Sequence, residues 1–390
     1  MYIKRIENVI NSTHFVLTPL IGKTEYVVVD CGGGTVDLTV HQLDTYTGGL
    51  AELHKATGGA CGATGVDLEF EKLLKKIFGK DFIDQFKLKR SAGWVDLMIA
   101  FEARKRTAAP NKTNPLNISL PFAFIDYYKK HRGSSIESAV RKYGDPNVKW
   151  SNQGMLRISP ELMKELFQPV LSKIIEHVSA LINKPTVQGV QFLFLVGGFA
   201  ESPLLQAAVR DAFSSKLKVI IPQDVGLTIL KGAVLFGIDP TIIRIRRAAV
   251  TYGVGVLNRF IPGKHPREKY VRKSSIEWCT DIFDKFVTVD QSVSLGEKVT
   301  RSYAPAKNGQ KSIVINIFST ENADVKYVTD PGVTKCGFLR IDLPEVVDSD
   351  PRKPRELQAC MTFAETEIKV SAMDVVSGNE VKASIEFLKD

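Results

Sequence analysis

The sequence predicts an α/β domain followed by an antiparallel β-rich domain. Residues 27–29 and 190–196 are apolar runs typical of buried strands, and glycines follow each run closely. The second run leads through Gly197 and Gly198 into a helical pattern that begins at Pro203, a strand–glycine–helix unit at which α/β proteins commonly bind ligands. Helical patterns stop near residue 240, where short β-branched runs separated by turn residues replace them.

Residues 26–40 place a glycine loop (residues 32–34) between two strands. Asp30 ends the first strand, and Thr35 and Asp37 begin a second strand in which apolar and polar residues alternate. Consecutive glycines let the backbone approach a ligand, and their N–H groups can form a concavity that binds phosphate. Magnesium is typically held by one or two carboxylates together with water and phosphate oxygens. The pattern therefore indicates either a magnesium–phosphate site or a glycine-rich turn with solvated acids.

Downstream of this hairpin the sequence predicts one strand and two helices. Strand 50–56 precedes a second group of glycines at 58–65. Apolar residues recur at helical spacing in 66–78, which a glycine ends, and again in 94–107. Residues 109–143 are punctuated by proline and asparagine, so we expect an irregular stretch typical of a variable insertion.

A long helix is predicted to begin next. Ser159 suits the N-cap and Pro160 the first helical position, and apolar residues follow on one face. After the strand at 190–196, a helix is predicted over 203–213, a short strand over 218–222 and a further helix over 228–236.

Residues 241–390 predict an antiparallel β-domain, most simply a sandwich. Its β-branched runs are 249–257, 286–289, 312–318, 338–343, 367–373 and 382–387. With a boundary near 238–244, the expected organisation is an N-terminal remnant (1–25), an α/β domain (26–240) and a β-domain (241–390).

Composition restricts the class of protein. The chain has 390 residues, 44% of them hydrophobic and 24% charged, as expected of a globular protein with two or three domains. No apolar run is long enough to span a bilayer, and the first residues lack the apolar core of a signal peptide. Five scattered cysteines without a C-x-x-C pair predict reduced thiols and no zinc site. We therefore expect a cytosolic or nuclear protein. Nucleic acid is not an expected partner: the net charge is +9, but most of the basic residues are interleaved with acidic ones.

The order of the motifs resembles that of the actin, sugar-kinase and heat-shock-70 ATPase superfamily. Residues 30–37 resemble its second phosphate loop, and 102–107 resemble the adenosine-contacting helix of the heat-shock-70 branch. Residues 196–203 resemble its adenosine loop, and 222–227 the strand–helix step that closes the fold.

Finer details resemble a divergent branch, the heat shock 70 kDa protein 12 family. They are Cys31 in the glycine loop and the segments 222–232, 251–260 and 278–283, and the resemblance runs from about Tyr26 to the C-terminus. It implies the second lobe of an actin-like (ribonuclease H-like) ATPase domain, followed by an antiparallel β-sandwich-like domain.

The resemblance also implies a site for ATP or ADP with Mg²⁺. Magnesium would be held, directly or through water, by Asp30 and Asp37, and Thr35 would join them as a catalytic group. The phosphates would be contacted by Gly32, Gly33, Gly34 and Thr35. The nucleoside would be contacted by Glu102 at the ribose or base edge, by Lys105 and Arg106 flanking the adenine, and by Gly197 and Gly198. Taken alone, residues 102–106 favour a solvated helix face over a nucleoside contact, and the glycine pair fits a plain strand-to-helix turn equally well.

Departures from the family pattern modify these expectations. The first lobe's phosphate loop, catalytic acid and lysine do not appear upstream of Tyr26. We therefore expect a truncated product or a shortened isoform. We also expect an exposed apolar surface where the first lobe would dock, with association or poor solubility as its consequence. Phe199 and Glu201 stand where typical chaperones of this superfamily have a small polar residue and a basic residue. The resemblance therefore implies altered adenine binding. The stretch 240–247 is basic where typical chaperones carry an acidic–aliphatic linker, and no helical lid follows the β-domain.

Two functions of different classes remain open. The first is an ATP-binding, chaperone-like protein that engages a client or signalling protein through its β-domain and hydrolyses ATP poorly, because phosphoryl transfer needs groups on both sides of the γ-phosphate. The second is a non-catalytic interaction or scaffold module on the same fold. A sugar kinase is disfavoured, since those enzymes lack an all-β C-terminal region.

Overall fold

The computed structural model describes residues 23–151, 153–273, 275–305, 309–344, 355–363 and 367–386. They form two compact units. The first contains 23–40 and Thr57–Leu235, and the second contains His41–Ala56 and the described residues from Phe236 onward. The grouping of 41–56 with the second unit has no counterpart in the sequence pattern, and the domain ranges 26–240 and 241–390 stay predictions. The expected remnant, 1–25, lies almost wholly outside the described residues.

The first unit is built on strands whose apolar residues are buried. β1 (Lys23–Cys31) is flanked by β2 (Val36–Asp44) and β7 (Phe192–Val196), and β8 (Lys218–Ile220) lies beyond β7. β1 and β7 run in parallel, and Asp30 is the register partner of Val196. The glycine loop and the Gly197–Gly198 turn therefore leave the sheet at the same edge.

The helices of the described chain are, in order, α1 (Thr64–Phe78), α2 (Lys80–Lys89), α3 (Ser91–Lys105), α4 (Phe122–Arg132), α5 (Ile136–Tyr143), α6 (Pro160–Ile182), α7 (Pro203–Phe213) and α8 (Thr228–Ile238). The predicted helices at α1, α3, α6, α7 and α8 are confirmed. The predicted start of α6 is confirmed in detail, since the Ser159 hydroxyl accepts a hydrogen bond from the Leu162 N–H at 3.1 Å.

The expectation of an irregular stretch at 109–143 was wrong. This segment contains β4 (Leu116–Ser119) as well as α4 and α5. β4 pairs with β6 (Met155–Ile158), which also pairs with β5 (Val148–Ser151). In α4, the buried Phe124 packs edge-to-face against aromatic rings of α1 and α2. Pairing and packing partners distant in sequence thus order a segment whose local composition favours loops.

The second unit contains two antiparallel sheets, which confirms the predicted β-sandwich. One sheet has the order β11 (Tyr270–Lys273), β12 (Ile276–Val287), β10 (Thr251–Arg259), β15 (Ser312–Thr320) and β16 (Thr334–Asp342). The other has the order β14 (Lys298–Tyr303), β17 (Leu357–Phe363), β18 (Glu367–Asp374) and β19 (Glu380–Glu386). Apolar residues from both sheets share one core. In the same unit, β3 (Leu50–Gly59) pairs in parallel with β9 (Ile243–Arg247), which pairs with β13 (Ser292–Ser294).

Helix α8 is apolar but has no buried residue. Four of its aliphatic side chains are between 46% and 74% exposed, and they are Ile229, Leu230, Val234 and Ile238. Helix α8 therefore presents an exposed apolar surface. None of the helices in the described ranges has the length and hydropathy needed to cross a bilayer.

Candidate functional site

The glycine loop caps the N-terminus of α1. The N–H groups of Gly62, Ala63 and Thr64 donate to the carbonyls of Gly34, Gly32 and Gly33 at 3.1, 3.1 and 2.8 Å. No side chain caps this helix, so the loop carbonyls take that role. In a trans peptide the C=O and the following N–H point in opposite directions, so the next three N–H groups point away from α1. No described residue accepts a hydrogen bond from the N–H of Gly33 or Gly34.

The glycines of this region divide into two kinds. A Cβ on Gly62 would lie 2.5 Å from the Gly33 carbonyl oxygen, and one on Gly58 would lie 2.0 Å from that of Val36. These glycines are required by close backbone packing. Gly33 and Gly34 have no left-handed φ, and a Cβ on either would meet nothing within 4 Å. Packing does not explain them, whereas a ligand close to their backbone would.

Two carboxylates and a hydroxyl lie beside the glycine loop. The exposed Thr35 Oγ1 donates to Asp37 Oδ2 at 3.0 Å. Burial and the negative charge of Asp37 raise the pKa of Asp30 above its ordinary value. A cation between the two acids would relieve both effects. In the described part of the chain no group of three or more His, Cys, Asp or Glu side chains could hold a metal. Two carboxylates alone could hold a magnesium ion only if water and phosphate oxygens supplied its other ligands.

The Gly197–Gly198 turn lies against Asp30, as the shared sheet edge requires. Gly197 has φ +91°, and a Cβ there would lie 2.3 Å from Asp30 Oδ1 and 2.5 Å from the Cys31 carbonyl oxygen. Gly198 lacks a left-handed φ, and a Cβ there would face open space. Only the first glycine is demanded by the fold.

The end of α3 carries an ion-pair network. Lys105 is only 5% exposed, and its Nζ lies 2.8 Å from Asp67 Oδ1 and 2.5 Å from Glu102 Oε2. Burial raises the pKa of Asp67 despite this cation. Burial opposes ionisation of Glu102 too, but Lys105 and Arg106 outweigh it and lower the pKa of that carboxyl. Lys105 thus orders the helix end, and its contact with adenine stays a prediction. Asp67 carries no sequence signal for this role.

Arg106 connects α3 to the turn that follows β7. Its Nε lies 2.8 Å from Glu102 Oε1, and its Nη1 lies 3.5 Å from Glu201 Oε2. The Glu201 carboxylate occupies the space beside Gly226 that a side chain would fill, because a Cβ on Gly226 would lie 2.5 Å from Glu201 Oε1. Phe199, the other departure noted in this turn, is buried and stacks on Phe167 at 6.1 Å between ring centroids. The Glu201 side chain thus contacts a residue of the predicted nucleoside site, and the Phe199 ring packs against α6.

Taken together, the two units define a class of protein. An α/β lobe with glycine turns after two adjacent parallel strands, followed in the chain by a β-sandwich, is the second lobe of an actin-like ATPase fold of the heat-shock-70 type.

Comparison with known proteins identifies the family. No family model matches the chain. It is 60% identical over 383 residues to human and to mouse heat shock 70 kDa protein 12A. The aligned residues are 98% of this chain and 56% of each relative. It is 57% identical over 371 residues to human heat shock 70 kDa protein 12B, which covers 94% of this chain and 54% of the relative. The chain belongs to the heat shock 70 kDa protein 12 family, and it spans about half the length of these curated relatives.

Proposed function

We propose that this chain binds ATP or ADP with Mg²⁺ at the glycine loop and acts as a chaperone-like protein that engages a client or signalling protein through its β-domain. One observation carries the nucleotide proposal. Among the described residues, none accepts a hydrogen bond from the N–H of Gly33 or Gly34 and none lies within 4 Å of a Cβ built on either, and these glycines lie next to Asp30 and Asp37. This combination suits a magnesium-bound polyphosphate.

Each residue has a defined part in this proposal. The outward N–H groups of the glycine loop would bind the β- and γ-phosphates, and Asp30 and Asp37 would hold hydrated Mg²⁺, which supplies charge neutralisation when bound. The Thr35 hydroxyl, which donates to Asp37 Oδ2, would hydrogen bond to the water or phosphate oxygens around the magnesium ion. Glu102 and Arg106 would contact the nucleoside. We propose slow hydrolysis, because this lobe presents groups to one side of the γ-phosphate while transfer needs charge stabilisation around all of it.

A second candidate is a non-catalytic interaction module, and the apolar exposed face of α8 favours it. In that case the fold would persist without nucleotide, and the chain would act through its surfaces.

Isothermal titration of magnesium–ATP into the full chain tests the nucleotide proposal. We expect micromolar binding in the wild type and at least a tenfold loss in Gly34→Ala, whose Cβ fits the free protein but obstructs a phosphate. Gly232→Ala is the matched control, because its Cβ also faces open space but lies in α8. Asp30→Asn should likewise abolish binding. Absence of heat in a folded wild type would refute the proposal and favour the interaction module.

A further inference from the structure

Arg106 is held by two carboxylates that come from different parts of the chain. Glu102 lies one helical turn earlier on α3, and Glu201 ends the 3-10 turn Gly198–Glu201 after β7. The side chains of Arg106 and Glu201 are 68% and 53% exposed, so the pair lies at the surface beside the open Gly198.

We propose that Glu201 sets the affinity of this site for the nucleoside part of its ligand by closing the gap that a base must enter. This inference rests on the proposed function, which places the nucleoside at Glu102 and Arg106, and on the expectation that the Gly197–Gly198 turn contacts it from the other side. Stacked bases repeat about every 3.4 Å, so a base covered on both sides needs about 7 Å between the covering groups. Arg106 Nη1 and Glu201 Oε2 are 3.5 Å apart, which leaves no thickness for a base at that point.

The packing decides which side chain moves. Glu201 occupies the space next to Gly226, where even a Cβ would lie 2.5 Å from its Oε1. Arg106 is the more exposed partner and sits at the end of its helix. Base binding therefore requires Arg106 to leave Glu201, after which its planar guanidinium is free to stack on the base.

The energy of the pair sets the size of the effect. Exposed ion pairs contribute little, and removing this one should tighten nucleotide binding by a factor of about 1.5 to 5. A ligand without a base has no reason to break the pair. Tripolyphosphate with magnesium should thus bind wild type and Glu201→Ala equally, after correction for net charge.

The test compares magnesium–ATP and magnesium–tripolyphosphate by titration calorimetry in wild type, Glu201→Ala and Glu137→Ala. Glu137→Ala is the matched control: it removes the same charge from the Arg141 pair of 2.9 Å, whose side chains are similarly exposed (81% and 52%). We expect Glu201→Ala alone to raise the ratio of ATP affinity to tripolyphosphate affinity. In an Arg106→Ala background, Glu201→Ala should have no further effect, because the pair is already absent.

The outcomes separate the two proposals. If neither ligand binds any variant, the proposed function fails and this inference fails with it. If both ligands bind but Glu201→Ala leaves the ratio unchanged, or changes it equally in the Arg106→Ala background, only the role of Glu201 is refuted. ATP binding in the wild type that becomes about 1.5 to 5 times tighter in Glu201→Ala, with tripolyphosphate binding unchanged, would support both proposals.

Discussion

Gly197→Ala and Gly198→Ala are neighbouring substitutions of the same chemistry that should have opposite consequences. At Gly197 the backbone has φ +91°, which costs a non-glycine residue about 1–3 kcal/mol. The new Cβ would also lie 2.3 Å from Asp30 Oδ1 and 2.5 Å from the Cys31 carbonyl, and such overpacking costs about 1–3 kcal/mol more. Gly197→Ala should therefore lose about 2–6 kcal/mol of the free energy of unfolding.

Gly198→Ala should leave the free energy of unfolding within about 0.5 kcal/mol of wild type, because its Cβ meets nothing within 4 Å. The same Cβ would obstruct a nucleoside at this turn, so the affinity for magnesium–ATP should fall while stability is kept. One substitution thus reports on the fold and the other on the ligand.

Scanning calorimetry of the full chain measures the difference. For a unit of this size, 1 kcal/mol corresponds to about 2–4 °C, so the transition of the first unit should fall by about 5–20 °C in Gly197→Ala. It should stay within about 2 °C in Gly198→Ala. If the transition temperature fell equally in the two variants, or did not fall in Gly197→Ala, the turn would not lie close to Asp30 and the reasoning would be refuted.

Four further substitutions test the electrostatics and the surface. Burial and the charge of Asp37 raise the folded pKa of Asp30, so its ionisation costs stability once the pH exceeds the ordinary carboxyl range. Asp30→Asn should therefore raise the free energy of unfolding near neutral pH and leave it unchanged in acid, as measured by thermal unfolding at both pH values. Lys105→Met leaves Asp67 without its cation, while Glu102 keeps Arg106. The variant should lose about 3–5 kcal/mol of the free energy of unfolding in urea, and a loss below about 1 kcal/mol would contradict the network. The hydrogen bond from Arg355 lowers the pKa of Asp374 to about 2. The ionised Asp374 therefore stabilises the fold fully above the ordinary carboxyl range, and this contribution is lost as the pH falls toward about 2. Asp374→Asn should cost about 1–3 kcal/mol of the free energy of unfolding at neutral pH and make that free energy less dependent on pH in acid, as followed by circular dichroism. Leu230→Lys should reduce concentration-dependent association in light scattering with the fold unchanged, and undiminished association would remove α8 as its cause.

The sequence by itself determined the features that depend on neighbouring residues. The strands that end at Asp30 and Val196, the cap at Ser159 and the β-runs after residue 240 follow from side-chain periodicity and turn chemistry, which act within a few residues. The order of the glycine motifs was sufficient to indicate the family, and the fold agrees with it.

Only the tertiary structure decided which residues serve the fold and which face a ligand. In sequence, Gly33, Gly62, Gly197 and Gly198 are alike, and they differ only in φ and in what their missing Cβ would meet. Likewise, Asp67 and Glu201, which pair with Lys105 and Arg106, come from another helix and from a turn. Residues 109–143 pair and pack with strands and aromatic rings distant in the chain. Packing and ion pairing act between segments that only the folded chain brings together, and a local pattern contains no record of them.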